Sequence, residues 1–95
     1  MTAPAPTDDD LVSVLYVVQQ GDDSDVLLDN EGIASALGLT LDEVARRLRE
    51  AKSRSLIWGF RDGRSPAPWF TDLELTVQGR RLLASHPTSP SGDQA

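Results

Sequence analysis

Residues 38–57 read GLTLDEVARRLREAKSRSLI, and the reading of this stretch decides the fold. Thr40 followed three residues later by Glu43 is a capping box, in which hydroxyl and carboxylate each satisfy one orphan backbone N–H. Behind it Val44, Leu48 and Ala51 recur at spacings of four and three, with Leu41 on the same side. That spacing predicts a helix over 40–54 with one buried stripe. The preceding stretch, DVLLDNEGIASALGL (25–39), holds a short apolar piece at 26–28 and then Asp29 or Asn30 as an N-cap. A short helix burying Ile33, Ala34 and Leu37 follows, and Gly38 stops it. Two short helices are thus joined by a tight, glycine-containing turn.

On the C-terminal side, LIWGFRDGRSPAPWFTDLELT (56–76) is rich in aromatic and branched residues. Asp62-Gly63 between two apolar runs signals a hairpin, and Pro66 and Pro68 lengthen its loop. Trp58 and Trp69 flank that loop and are expected to pack in the core. TVQGRRLLAS (76–85) then reads as a closing helix capped by Thr76, with Val77, Leu82 and Leu83 turned inward.

On the N-terminal side, DDDLVSVLYVVQQGDD (8–23) pulls two ways. Its valines and tyrosine suit a strand. Three aspartates ahead of the run suit a helix N-terminus, and Gly21 can end that helix. A ten-residue run is long for a strand, so a helix is expected, with Leu11, Leu15 and Val18 inward. Val12, Tyr16 and Val17 make it apolar nearly all round. This surplus suggests a partner helix, such as one from a second copy.

The chain has 95 residues, one domain's worth, and no cysteine, so disulfides and thiolate metal sites are excluded. Residues 1–7 and 87–95 are Pro-, Ser-, Thr-, Gly- and Ala-rich and read as disordered tails around a domain at 8–86. No run is long enough to span a membrane and no signal-peptide order opens the chain, so a soluble cytoplasmic protein is expected. The formal charge is −6, unevenly placed. Residues 1–39 hold eight acids and no base; residues 40–71 hold seven bases against four acids. Such asymmetry suggests a polar partner on one side.

The segment 33–57 resembles the winged helix-turn-helix domains of bacterial transcription regulators. Ala34 takes the tight position in the first helix of the motif, Gly38 the turn and Thr40 the cap; Val44 and Leu48 form the core face of the second helix, and Leu56-Ile57 lead into the wing. LELTVQGRRLLA (73–84) is similar to the closing strand and helix of the MarR- and PadR-like branch, with Leu75-Thr76 ahead of Gly79-Arg80-Arg81-Leu82-Leu83. The implied fold is α+β, mostly α: a three-helix core, a β-hairpin wing and a short C-terminal helix. The acidic N-terminal half, and the lack of a long helical dimerisation arm, depart from the pattern.

The resemblance implies that helix 40–54 enters the major groove of duplex DNA while wing 58–70 lies on the backbone. Leu41, Asp42, Ala45, Arg46 and Arg49 then face the groove, with Thr40 at the cap, Lys52 on the flank, and Arg61 and Arg64 projecting from the wing. Arginine there can bond guanine or hold a phosphate. A solvated helix accounts for many of the same charges. Asp42–Arg46, Glu43–Arg47 and Glu50–Arg54 are acid-before-base pairs at a spacing of four, each worth about 0.2–0.5 kcal/mol. Only Arg49 and Lys52 lack such a partner.

Nothing in the chain supports an enzyme, a metal site or a cofactor. The single histidine, His86, lies at the edge of the tail, away from any Ser, Asp or Glu constellation that could use it as a base. Asp22, Asp23, Asp25 and Asp29 lack the spacing of a calcium loop. The expected partners are duplex DNA and, since a domain this small reads few base pairs, a second copy or another protein. Val12, Tyr16 and Val17 are the expected dimer interface. The rival is an acidic winged-helix module that binds protein and not DNA.

Overall fold

In the computed structural model, residues 5–86 are described. The elements are α1 (Asp8–Asp23), α2 (Asn30–Leu37), α3 (Leu41–Ser53), β1 (Ile57–Asp62), β2 (Trp69–Leu75) and α4 (Val77–Ser85). The expected tails at 1–4 and 87–95 lie outside the described residues. Thr7 does not: it is the N-cap of α1, and it forms the full reciprocal box with Asp10. The aspartates therefore occupy the first turn and favour the helix electrostatically, while the threonine caps it.

Helix α1 packs against α2, α3, β2 and α4 at once. Its apolar residues find cover within one chain, and Leu11, Val14, Leu15 and Val18 are fully buried. Each such side chain contributes about 1.5–3 kcal/mol relative to exposure. The surplus anticipated on this helix shrinks accordingly: Val12 and Val17 are only 2% and 7% exposed, and Tyr16 alone stays out at 38%. Gly21 does not end α1. It is buried inside the last turn because the 26–28 segment crosses it closely, and a Cβ there would press on Leu28 and the Val26 carbonyl.

Helices α2 and α3 form the expected helix-turn-helix. Asp29 caps α2 by accepting from Gly32 N–H, and Gly38 closes it in the left-handed conformation at φ 66°. Glycine adopts that conformation without steric penalty. The short apolar piece contributes one antiparallel bridge, Leu28 to Leu73, beside the two-stranded sheet.

The hairpin pairs β1 and β2 antiparallel, from Ile57–Leu75 to Asp62–Trp69, with a bulge between Trp58 and Phe60. Asp62 belongs to the strand, so the tip is the six-residue stretch 63–68 and not a two-residue turn. Trp69 is buried as expected, but Trp58 is 43% exposed and stacks edge-on against Phe60, itself 60% exposed. The bulge lies between these two strand residues, and both stand on the wing surface. Val77, expected inward, is also exposed; Leu82 and Leu83 carry the inner face of α4.

Candidate nucleic-acid interface

The α3 N-terminus forms half of the expected box. Thr40 Oγ1 accepts from Glu43 N–H at 3.1 Å, but the Glu43 carboxylate turns to arginines instead. It accepts from Arg46 through Nε and Nη2, both at 3.0 Å, and from Arg47 Nε at 2.7 Å. The Arg46 bonds, then those of Arg47, hold the Glu43 carboxyl below its usual range against an opposing effect of burial. Arg46 is correspondingly raised, chiefly by its bonds to Glu43. Of the expected self-pairs only Glu43–Arg47 forms as drawn. Arg46 closes on Glu43 at a spacing of three, and Arg54 reaches Asp8 of α1 at 3.0 Å in place of Glu50.

Helix α3 thereby has two electrostatically different flanks. Arg47 and Arg54, seven residues apart on one side, face the first turn of α1 and pair with Asp10 and Asp8. Arg47 also donates to Ser13 Oγ at 3.0 Å. Arg49 and Lys52 lie on the other side and face the wing. With Arg61 of β1 they line a groove of about 270 Å³ whose floor is Ala67, Pro68 and Phe70. No acid lines it. Arg49 Nη2 approaches the Ala67 carbonyl at 3.4 Å, which ties α3 to the hairpin loop.

The wing arginines are held by rings. The Arg61 guanidinium carbon lies 5.6 Å from the Phe70 centroid, and that of Arg64 lies 5.4 Å from the Trp69 centroid. A cation over a ring gains about 0.5–1 kcal/mol at an exposed site. Both guanidinium groups are thus oriented while their residues stay exposed. The hairpin is in turn fastened to α2. Asn30, fully buried, donates from Nδ2 to the Pro68 carbonyl at 2.9 Å and accepts from Phe70 N–H at 2.9 Å.

The structure therefore brings Arg49, Lys52 and Arg61 together, with Arg64 along the same hairpin. Thr40 and Asp42 lie exposed at the start of α3, and Arg46 is bound by Glu43. Ala45 is a correction: at 2% exposure it belongs to the core and offers no side chain to a groove. Asn30 is a positioning residue that the sequence does not reveal, because its cap-like place at the start of α2 conceals a contact forty residues away. His86 lies 3.7 Å from Asp8 and 3.9 Å from Asp9, so the fold brings it to acids that sequence distance had hidden.

No protein-family model matches the chain, and no curated protein does. Among solved structures it is similar to MepR, as seen in the crystal structure of a mutant from a multidrug resistant S. aureus clinical isolate. The identity is 27%, the TM-score 0.55, and the match covers 78% of this chain and 48% of that one. The chain thus spans about half the length of that protein. MepR is a MarR-family winged-helix regulator, and the four helices and two-stranded hairpin described above match its winged-helix fold.

Proposed function

We propose that this winged helix-turn-helix chain, similar in fold to the MarR-family regulators, is a transcription regulator that binds duplex DNA. Helix α3 enters the major groove and the β1–β2 wing lies on the adjacent backbone. The observation that carries this reading is the convergence of Arg49, Lys52 and Arg61 around one groove between those two elements, which no acid lines among the described residues. A cationic groove with few competing carboxylates suits phosphate oxygens, and the ring-held Arg61 and Arg64 suit a backbone that runs past the wing. Arg46, already neutralised by Glu43, reads as support for the helix; Arg49 is the better placed to meet a base edge or phosphate. Asp42 would accept a bond from a cytosine amino group or repel a phosphate. Specific recognition needs a second unit, a homodimer on a two-fold site or a partner protein. The reading carries no catalysis, cofactor or metal.

The −8 charge of residues 1–39 favours a second reading, an acidic module that binds protein alone. Against it, Asp8 and Asp10 are spent on Arg54 and Arg47, on the flank of α3 turned from the wing. Fluorescence-anisotropy titrations with mixed duplex fragments at several salt concentrations separate the two. Three phosphate contacts give a slope of log K against log salt near about −2.7. In Arg49→Ala/Lys52→Ala the slope falls by roughly 1.8. No association at low salt removes the DNA reading.

A further inference from the structure

On the side of α1 facing α2 lies a second groove, of about 350 Å³. Val12, Tyr16, Val17, Ala36 and Leu37 supply its apolar lining, and among the described residues Asp9 is its one charged lining residue. On α1 these positions follow the helical period from Asp9 through Val12 and Tyr16 to Gln20. Asp23 continues the same stripe, exposed at the far end. Fourteen residues of helix separate the two carboxylates, about 21 Å. An apolar trough with one acid in its lining and a second beyond its far end has the form of a helix-in-groove site, read by anchors at i, i+3, i+4 and i+7.

We infer that the α1–α2 groove docks a basic amphipathic helix of a different protein, one about four turns long with a cationic residue near each end. Charge argues for that occupant over a second copy. Residues 1–39 contain no base at all, so the walls of the groove offer a cationic segment no repulsion of their own. Arg47 reaches Ser13 at the edge, where Glu43 and Asp10 match its charge, and His86, 3.9 Å from Asp9, is a further basic side chain beside the groove. Two copies of α1 laid together would set acid against acid, Asp9 against Asp9 if parallel and Asp9 against Asp23 if antiparallel. Like charges at such positions disfavour association. This inference stands whether or not the α3–wing surface takes DNA, because it uses neither Arg49 nor Arg61.

The test uses the full chain, isotope-labelled, titrated with a sixteen-residue peptide that carries leucines on one helical face and lysines at both ends. The same peptide with glutamates at its ends is the control. The expected result is saturable binding of the lysine peptide, with shift changes confined to the groove on α1 and α2. Binding of the glutamate peptide should be about two- to thirtyfold weaker, the scale of two exposed ion pairs. Asp9→Asn/Asp23→Asn should erase that preference. Ala36→Gln, at an exposed helical position, should fill the trough and weaken both peptides while the thermal melt stays in place. Equal binding of the two peptides, shifts elsewhere on the molecule, or no binding of the lysine peptide at millimolar concentration would overturn the inference. So would sedimentation showing a homodimer that Ala36→Gln dissociates.

Discussion

Asn30 and Phe70 stand forty residues apart in the chain and meet through a 2.9 Å hydrogen bond from the Phe70 N–H to the Asn30 side chain. The same amide donates to Pro68, so one buried side chain closes two backbone groups at the base of the wing. Asn30→Ala leaves a buried N–H and a buried carbonyl unpaired. It is expected to destabilise the fold by about 2–4 kcal/mol in urea titrations. Because the wing loses its anchor, DNA affinity should fall even at temperatures where the variant is still folded.

Arg46 and Arg49 sit three residues apart on α3 and should behave differently. Arg49 faces the groove between α3 and the wing, whereas Arg46 is bound by Glu43. Arg49→Ala is expected to weaken duplex binding by about 1–3 kcal/mol in anisotropy titrations. Arg46→Ala should have the smaller effect on binding. The reverse order would move the interface toward the start of α3.

Glu43 ties pH to stability. Its carboxyl is held below the usual value of 4.5 by Arg46 and then Arg47, so the unfolded chain binds this proton more readily than the folded one. The stabilisation is fully present above that unfolded value and is lost as pH falls through the lower folded value. Urea midpoints measured between pH 6 and pH 3 should drop less steeply for Glu43→Gln than for the wild type. At pH 6 the variant should be the less stable of the two.

Gly79 explains the glycine in the closing motif. A Cβ there would fall onto the Leu56 carbonyl, because the start of α4 lies directly on the chain leaving α3. Thr76 reinforces this contact by donating from its hydroxyl to Ser55 O and from its N–H to Leu56 O. Gly79→Ala is expected to destabilise by about 1–3 kcal/mol, the range for forced overpacking, as read from the thermal midpoint.

Ser55 closes α3 with φ 60°, a left-handed position usually held by glycine. Its N–H bonds to Lys52 O and that of Leu56 to Ala51 O, the paired pattern of a helix C-terminus. Ser55→Gly is expected to stabilise the chain by about 0.5–1 kcal/mol, the relief of left-handed strain less the added freedom of the unfolded state. Calorimetry would read it as a rise in the midpoint.

Much of this protein was legible along the chain because its decisive signals are local. Thr40, Gly38 and Thr76 are read from cap chemistry within a few residues, and Val44, Leu48 and Ala51 from helical period. The helix-turn-helix and the hairpin followed from those signals, as did the basic character of α3 and the wing. What the tertiary structure alone decided are matters of long-range pairing. Spacing of four on α3 favoured Asp42–Arg46 and Glu50–Arg54, but the first turn of α1 offered Arg54 and Arg47 carboxylates from another element. Ala45 looked like a groove-facing flank but is buried in the folded chain, and Val12 and Val17 looked surplus until α1 became the central helix. Periodicity places a residue on a face of its own helix. Only packing assigns that face a neighbour, and here that assignment separated the flank of α3 neutralised by acids from the flank left to the wing.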